Sequence, residues 1–403
     1  MVRDSILSLQ DPKGLCQGWH LQDLCELDKQ LNVLFVIPSL GHGGAQKVLV
    51  NLCGNLLQKH VLPPGTGAAV QFNITILTFA DEQAIPCFYK PPEGVTLVTT
   101  NTYRKYRPRL GRAFILPLQL RLAIKNLKAD VVVSFLDIAN FPVILSAVFL
   151  PVRVIVSERQ DTTHYNFAKV RKVLRSFLYP RADCVVVQTN LIRDQMPLGA
   201  NVKVIPNACP QFKKAANPAV ATNGVYRAVA VGRLENQKNI EFLVRACSSI
   251  FSVCDNWILD IYGSGSLQAA LEKQIEDANL ANYVFLRGAT TDIETVLSDS
   301  NLFLFPSLYE GFPNALAEAA SAGLPAVAFD DVSGVPELIN DGKNGVLLRR
   351  QNTSEIDFAN VVVSLMKKHE LRSEMGIESK KISDRYLPNS IHNEWCIVIA
   401  PVH

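Results

Sequence analysis

Residues 302–325 read LFLFPSLYEGFPNALAEAASAGLP. The apolar run at 302–306 predicts a buried strand, Gly-Phe-Pro predicts a turn, and the residues after it predict a helix. A strand end, a turn and a helix N-terminus in this order form a site for an anion. Glu310 precedes the helix and Glu318 lies inside it, so the two carboxylates could hold different parts of one ligand. Taken alone, the pair would also fit a capping acid and a solvated helix residue.

The rest of the chain alternates apolar runs with helix-like segments in the same way. Predicted strands cover 32–38, 72–79, 95–98, 130–135, 152–156, 183–187 and 202–205, and then 226–231, 257–262, 283–286, 301–305, 326–329 and 345–348. In the second set, helices are predicted around 239–252, 265–278, 292–299, 313–322 and 354–386. Continuous Val, Ile and Leu runs favour parallel strands covered on both faces. We therefore expect an α/β fold of two Rossmann-like, doubly wound parallel-sheet domains that face a cleft.

The domain boundaries follow from changes in composition. Residues 1–30 are acidic and form an N-terminal extension, and 31–208 form the first Rossmann-like domain. The polar stretch 209–224, rich in small residues, predicts a linker. Residues 225–383 form the second Rossmann-like domain, and 384–403 form a segment that could return to the first domain.

Composition excludes several classes of protein. The chain has 403 residues, of which 48% are hydrophobic and 19% charged, which indicates a globular protein with a large core. The cysteines are scattered, without a Cys-x-x-Cys pair or a zinc-ligand spacing, so free thiols in a reducing cytosol are expected. The acidic start does not resemble a signal peptide, and the apolar stretch 141–156 is too interrupted to span a bilayer. We expect a cytoplasmic protein.

Positive charge is concentrated in the first half of the chain. Two basic clusters lie at 104–112 and 169–181. Such clusters suit anionic lipid headgroups, phosphorylated carriers or nucleic acid, or they form a solvated basic face. Few aromatic residues accompany them and no RNA-binding signature occurs, which disfavours nucleic acid. Peripheral contact with the inner face of the cytoplasmic membrane, through 104–112 and 169–181, is therefore an open expectation.

Cations and glycines follow the predicted strands of the second half. Arg233 and Lys238 lie between the first strand and a helix, where two positive charges without an anion would be mildly destabilising. They could converge on a diphosphate, Arg as a planar fork and Lys as a mobile charge. Gly263 belongs to a Gly-x-Gly turn, which is weak evidence for a ligand. Arg287 could frame a base, although an ordinary strand-to-helix turn explains it as well.

The first half contains a glycine turn of its own. The sequence GHGG at 41–44 separates the first strand from the first helix, where a ligand could approach the backbone. The pattern is not Gly-x-Gly-x-x-Gly, and no acid ends the second strand. A dinucleotide dehydrogenase is therefore disfavoured.

Several short motifs occur in the order typical of one enzyme family. They are GGAQ at 43–46, VGR at 231–233 with Lys238, EGFPN at 310–314 with Glu318, and IPNA at 205–208. Together they resemble the family 4 retaining glycosyltransferases of the GT-B fold, over roughly residues 31–390. The resemblance implies transfer of a hexosyl or N-acetylhexosaminyl unit from a nucleoside diphosphate sugar, by family habit a UDP-sugar, to a glycan or lipid-linked saccharide. It also implies that the domain 31–208 binds the acceptor and that the domain 225–383 binds the nucleotide sugar.

The resemblance also implies roles for matching residues. Glu310 would contact hydroxyls of the donor sugar, and Glu318 would bind the ribose. Arg233 and Lys238 would hold the diphosphate, and Gly44 would pack against the donor phosphate across the cleft. Further substrate-binding positions would be Gly43, Gly263, Arg287, Gly311, Phe312, Pro313, Asn314 and Ala315, with the amides of residues 312, 314 and 315 facing the phosphate and sugar. No Asp-x-Asp motif occurs, so no metal or other cofactor is expected.

The sequence departs from the family in one place. Many members carry a histidine after the strand that matches 152–156, whereas this chain reads SERQD at 157–161. That segment resembles a Ser-Glu-Arg-Asn subgroup of bacterial polysaccharide enzymes. Glu158 or Arg159 would then orient the sugar or acceptor, or form a structural salt bridge with the opposite lobe.

The sequence also leaves two alternatives to glycosyl transfer open. A GT-B-fold epimerase would turn over the nucleotide sugar without an acceptor, and a non-catalytic protein would bind it as part of a scaffold. The intact set of Glu310, Glu318, Arg233 and Lys238 favours transfer over both.

Overall fold

The structure, a computed structural model, describes residues 29–41, 43–58, 70–80, 85–100, 112–161 and 168–400. It contains two sheets, one of seven strands and one of six, in which all strands run parallel. The predicted α/β fold with two Rossmann-like domains is confirmed. Parallel strands are buried on both faces, which explains the uninterrupted apolar runs of the sequence.

The N-terminal sheet has the order β3-β2-β1-β4-β5-β6-β7. Its strands are β1 (Lys29–Ile37), β2 (Val70–Thr78), β3 (Thr96–Thr99), β4 (Val131–Phe135), β5 (Arg153–Ser157), β6 (Cys184–Val187) and β7 (Val202–Val204). Helix α1 (Gly44–Gln58) covers one face. The other face is covered by α2 (Arg112–Asn126), α3 (Asp137–Ala147), α4 (Ala168–Leu178) and α5 (Asn190–Asp194). The order reverses at β1 and β4, and a doubly wound sheet binds its ligands at such a point.

The C-terminal sheet has the order β10-β9-β8-β11-β12-β13. Its strands are β8 (Tyr226–Val231), β9 (Trp257–Tyr262), β10 (Val284–Gly288), β11 (Leu302–Phe305), β12 (Ala326–Phe329) and β13 (Gly345–Leu348). The helices are α6 (Ile240–Phe251), α7 (Gln268–Asp277), α8 (Ile293–Ser298), α9 (Asn314–Ala322), α10 (Val335–Leu338), α11 (Glu355–Lys367) and α12 (His369–Ser383). The helix expected over 354–386 is two helices, because Lys368 adopts φ −110° and ψ 77° between them.

The stretch expected to be a linker packs along the C-terminal domain. Cys209 is buried in that domain's core, and the N–H of Ala216 donates to the carbonyl of Ala322 at 2.8 Å. Asn301 donates from its side chain to the carbonyls of Asn217 and Val220. The peptide groups of this stretch are thus bound to one domain rather than to solvent.

The chain ends by returning to the N-terminal domain. Helix α13 (Pro388–Ile399) packs on the same face as α1, and its Trp395 lies in that core. The Trp395 ring stacks on Phe135, with ring centroids 5.7 Å apart. Arg153 donates to the carbonyl of Val398 at 3.2 Å. Strands β4 and β5 are therefore held by a helix from the far end of the chain.

We expect Trp395→Ala to lower the free energy of unfolding by about 3–5 kcal/mol, because it empties a large buried volume. The measurement is a urea titration followed by circular dichroism. Ile397→Ala is the matched control on the same helix, since Ile397 is 45% exposed, and its effect should stay within about 0.5 kcal/mol. Equal losses in both variants would show that α13 does not pack as described.

Candidate functional site

Two helix N-termini meet where the carboxyl edges of the two sheets face each other. Helix α1 begins at Gly44 after β1, and α9 begins at Asn314 after β11. A Cβ atom on Gly44 would lie 2.9 Å from Nδ2 of Asn314, so the two lobes touch at this point. Neither helix carries an acid in its first turn. Both positive helix ends are therefore available to an anion.

The first predicted carboxylate is held by a lysine of the same domain. Nζ of Lys238 lies 2.6 Å from Oε1 of Glu310, and only 15% and 10% of the two side chains are exposed. The amide of Gln237 donates to Oε2 of Glu310 at 3.3 Å and to the carbonyl of Tyr309 at 2.8 Å. Arg233 is more exposed and donates to Oε1 of Gln237 at 3.1 Å. Gln237, which sequence analysis missed, therefore links Arg233 to Glu310.

Backbone contacts fix this arrangement. The N–H of Leu308 donates to the carbonyl of Gln237 at 2.8 Å. Asn239 has a φ of 53°, a conformation that Asn tolerates, and its amide donates to the carbonyl of Pro306 at 3.2 Å. The loop after β8 is thus bound to the loop after β11, which brings Lys238 and Glu310 together.

The second predicted carboxylate is held from the opposite lobe. Nζ of Lys47 lies 3.2 Å from Oε1 of Glu318. Lys47 is on the first turn of α1, three residues after Gly44, so the ion pair spans the two domains. Sequence analysis missed Lys47. Its position one turn after the glycine motif was the available signal, because residues three or four apart share one helix face.

The turn before α9 is packed tightly against the N-terminal domain. A Cβ atom on Gly311 would lie 2.2 Å from the carbonyl oxygen of Arg159, so only glycine fits. Phe312 is buried, with its ring centroid 6.1 Å from that of Tyr386, and Pro313 precedes the helix. The N–H of Asn314 donates to the carbonyl of Phe312 at 2.9 Å. That amide, expected to face a phosphate, is engaged inside the turn, and the side chain of Asn314 is what meets Gly44.

Glu158 lies fully buried at the end of β5 rather than in the open cleft. Its Oε2 accepts from the hydroxyl of Tyr179 at 2.8 Å and lies 3.6 Å from Nη1 of Arg175. Burial raises the pKa of Glu158 to about 7, and the charge of Asp137 adds to this shift while Arg175 opposes it. The ion pair belongs to the N-terminal lobe, so the alternative of a salt bridge to the opposite lobe is wrong for Glu158.

Arg159 is also buried, beside the stacked rings of Phe135 and Trp395. Its guanidinium carbon lies 4.6 Å from the ring centroid of Phe135 and 5.6 Å from that of Trp395. Nη1 donates to Oδ1 of Asn207 at 2.7 Å, and burial lowers the pKa of Arg159 to about 9. Asn207 in turn donates to Oδ1 of Asn314 at 2.7 Å. Arg159 therefore reaches the start of α9 only through Asn207.

The remaining predicted residues lie at the same strand ends. The carbonyl of Gly43 accepts from the N–H of Lys47 at 3.2 Å, and the N–H of Gly263 donates to the carbonyl of Gly288 at 2.8 Å. Nε of Arg287 lies 2.5 Å from Oδ1 of the buried Asp260. Asp260 also pairs with Arg227 at 2.8 Å, so the two arginines share one carboxylate inside the lobe. Ala315 is half-buried in the first turn of α9.

No helix in the described part of the chain is long and apolar enough to cross a membrane. Of the two basic clusters, 104–111 lies outside the described residues, as does the side chain of Arg112. The second cluster lies on α4 and the turn after it.

We expect the contribution of Glu158 to stability to fall as pH rises from 4.5 to 7, because burial favours its protonated form in the folded state. Its folded pKa lies above the unfolded value, so this contribution is complete below pH 4.5 and is lost as pH rises through about 7. Glu158→Gln stays neutral and should remove up to about 3 kcal/mol of that loss in urea titrations across this range. The exposed Glu272→Gln should keep the wild-type profile, and an unchanged Glu158→Gln profile would contradict the assignment.

The chain is similar in sequence to proteins named as glycosyltransferases. The family model described as "Glycosyl transferases group 1" matches residues 213–382. A GalNAc-alpha-(1->4)-GalNAc-alpha-(1->3)-diNAcBac-PP-undecaprenol alpha-1,4-N-acetyl-D-galactosaminyltransferase of Campylobacter jejuni is 24% identical over 92% of this chain and 99% of its own length. The poly(glycerol-phosphate) alpha-glucosyltransferase of Bacillus subtilis is 33% identical over 46% of this chain, and the match spans only 28% of that protein.

Solved structures resemble the whole chain. Sucrose-phosphate synthase from Thermosynechococcus elongatus superposes with a TM-score of 0.75 at 16% identity, covering 91% of this chain and 97% of that one. HepE of Anabaena, in complex with UDP and glucose, superposes with a TM-score of 0.72 at 16% identity, covering 92% and 100%. At 16% identity, these superpositions show a shared fold and nothing about activity. Residues 213–382 therefore match the model of the glycosyl transferases group 1 domain, within a chain whose two parallel-sheet α/β domains have the fold of solved GT-B glycosyltransferases.

Proposed function

We propose that this protein is a retaining glycosyltransferase of family 4. It transfers a hexosyl or N-acetylhexosaminyl unit from a nucleoside diphosphate sugar, a UDP-sugar, to a glycan or lipid-linked saccharide. The meeting of the N-termini of α1 and α9, beside Lys238 and Arg233, carries this proposal. Two helix ends without acids and two cations suit a diphosphate better than any neutral ligand.

The donor would replace the two ion pairs that link the glutamates to lysines. Lys238 would turn from Glu310 to the diphosphate, which frees Glu310 for hydroxyls of the sugar. Lys47 would leave Glu318, which frees that carboxylate for the ribose. Each lysine is already within 3.2 Å of its glutamate. The charges needed for the donor are therefore present and mutually neutralised before it binds.

The chemical difficulty is the departure of the diphosphate. The bond between the anomeric carbon and the phosphate oxygen breaks, and the acceptor oxygen bonds to that carbon on the same face. The configuration is retained because the new bond forms on the face from which the diphosphate departs. The acceptor proton passes to the departing phosphate oxygen. Arg233, Lys238 and the helix ends stabilise the charge that develops on that oxygen. We propose that no metal is required, since the chain lacks an Asp-x-Asp motif and supplies these cations itself.

The names of the relatives support the choice of substrates. The Campylobacter jejuni relative is named for an undecaprenol-diphosphate acceptor, and HepE was solved with UDP and glucose. These properties belong to those proteins and motivate the assignment here. An epimerase would consume UDP-sugar without acceptor, and a scaffold would bind it without turnover, so a donor assay with and without lipid-linked saccharide separates the three.

Helix α4 favours a second element of the proposal, contact with an anionic membrane. Its apolar side chains Val170, Val173, Leu174 and Phe177 share one face at helical spacing and are exposed, with 55% exposure for Val173 and 64% for Phe177. Arg171 and Arg175 point inward, to Asp137 and Glu158. Helix α4 therefore exposes its apolar face, whereas an ordinary surface helix buries that face.

The neighbouring helices extend this face. Helices α2 and α3, with the turn after α3, cover the same side of the sheet and also expose apolar residues: Ile115, Leu118, Leu122, Ile138, Leu145 and Phe149. Helices α2, α3 and α4 carry seven Lys and Arg and a single acid, Asp137, which is buried against Arg171. Arg171 and Arg175 are paired inside the domain, whereas Lys125, Lys169 and Lys172 are exposed. Exposed apolar side chains beside such lysines fit the interface of an anionic bilayer. We therefore propose that this face docks on the membrane that holds the lipid-linked acceptor.

For the donor site, we expect Lys238→Ala to lower kcat by about 100- to 1,000-fold, because it removes a charge that stabilises the leaving group. Glu318→Ala should instead raise the Kd for UDP, measured by calorimetry, with a smaller effect on kcat. Arg245→Ala is the control, since Arg245 pairs with Glu355 on the exposed surface of the same domain. Wild-type UDP binding and turnover in both site variants would refute the proposed donor site.

For the membrane face, we expect Val173→Glu with Phe177→Glu to lower binding to phosphatidylglycerol vesicles by about tenfold or more. Sedimentation with vesicles of phosphatidylcholine, with and without phosphatidylglycerol, measures it. Ile356→Glu is the matched control, because Ile356 is 62% exposed on α11 of the other domain. A wild-type dimer that the double variant dissociates, without lipid binding, would show that a second copy covers this face instead.

A further inference from the structure

A chain of three buried or half-buried polar side chains runs from the N-terminal lobe to the start of α9. Nη1 of Arg159 donates to Oδ1 of Asn207 at 2.7 Å, and Nδ2 of Asn207 donates to Oδ1 of Asn314 at 2.7 Å. Arg159 and Asn207 are 48 positions apart in the sequence, and Asn207 and Asn314 are 107 positions apart, so the fold alone brings the three together.

The guanidinium fixes the orientation of the two asparagine amides. A guanidinium only donates hydrogen bonds, so the oxygen of Asn207 must face Arg159 and its NH₂ group must face Asn314. The oxygen of Asn314 is then occupied, and its NH₂ group points away, towards Gly44. A reversed amide at either asparagine would place two acceptors or two donors against each other, at a cost of about 1–3 kcal/mol for a buried pair.

Neighbouring groups hold the first member in place. The guanidinium of Arg159 lies over the rings of Phe135 and Trp395, and Asn207 is 3% exposed. The amide of Gln188, oriented by its partners, accepts from Nδ2 of Asn207 at 2.9 Å and donates to the carbonyl of Arg159 at 3.0 Å. Both protons of the Asn207 amide are thus used, one on Gln188 and one on Asn314.

We propose that Arg159 and Asn207 are positioning residues that aim the side-chain NH₂ of Asn314 at the diphosphate of the donor. This inference rests on the proposed function. The NH₂ group lies where the N-termini of α1 and α9 meet, and the backbone N–H of Asn314 is engaged with Phe312. The side chain therefore supplies the hydrogen-bond donor that the backbone of this residue does not. Arg159 acts through two amides and does not touch the ligand.

Asn207→Asp separates this role from a merely structural one. The carboxylate of this variant would keep, and strengthen, the contact with Arg159, so the lobe should remain folded. A carboxylate cannot donate to Asn314, so the Asn314 amide is free to turn its oxygen to the cleft. We expect the Kd for UDP, measured by calorimetry, to rise about tenfold, the effect of losing one hydrogen bond to a charged group. Asn51→Asp, the same change on the exposed side of α1, should leave the Kd unchanged.

A double-mutant cycle tests whether Asn207 acts through Asn314. Asn314→Ala alone should weaken UDP binding, and adding Asn207→Asp to it should have no further effect. Additive losses, or wild-type affinity of the Asn207→Asp variant, would overturn the inference while leaving the proposed function intact. A wild-type protein that binds none of UDP, GDP and ADP would overturn the proposed function and this inference with it.

Discussion

The close approach of Gly44 and Asn314 is the constraint on which the rest of the site depends. Each residue begins a helix that follows a central strand, β1 in one sheet and β11 in the other. Because strands in each sheet are parallel, all loops that carry the predicted site residues leave from the same edge. A larger side chain at residue 44 would separate the lobes, and with them Lys47 from Glu318. Contact between two positive helix ends is itself unfavourable, so the geometry is best explained by an anion.

The ion pairs of the site lower the cost of charged side chains that are shielded from water. Glu310 and Lys238 are largely shielded from water, and an unpaired charge in such a place is costly. Pairing them inside one domain gives each charge a partner at 2.6 Å. The pair Lys47–Glu318 does the same across the domains, and it is more exposed, with Lys47 at 52%. Lys47 therefore leaves its carboxylate at lower cost than Lys238 does.

Sequence reasoning predicted the strands well because buried parallel strands leave uninterrupted apolar runs. It also placed Glu310, Arg233 and Lys238 in loops after strands and Glu318 in the helix that follows, because glycine turns and helix starts are local signals. It did not predict the break at Lys368, which depends on backbone angles rather than on a proline or glycine. Nor could it pair Arg159 with Trp395 or Lys47 with Glu318. These partners are hundreds of residues apart, and only the packed fold brings them into contact.

The inward side of α4 connects the proposed membrane face to the site. Arg175 of this helix lies 3.6 Å from Glu158, and Arg171 lies 2.7 Å from Asp137 at the start of α3. Glu158 directly precedes Arg159, whose carbonyl contacts Gly311 and whose guanidinium directs Asn207. A shift of α4 on a bilayer would therefore act on buried charges, which tolerate little change in distance. One side-chain contact, between Arg175 and Glu158, and one backbone contact, from the carbonyl of Arg159 to Gly311, lie between α4 and the turn before α9. The burial of Arg175 beneath an exposed apolar stripe would thus connect the proposed membrane contact of α4 to the site between the domains.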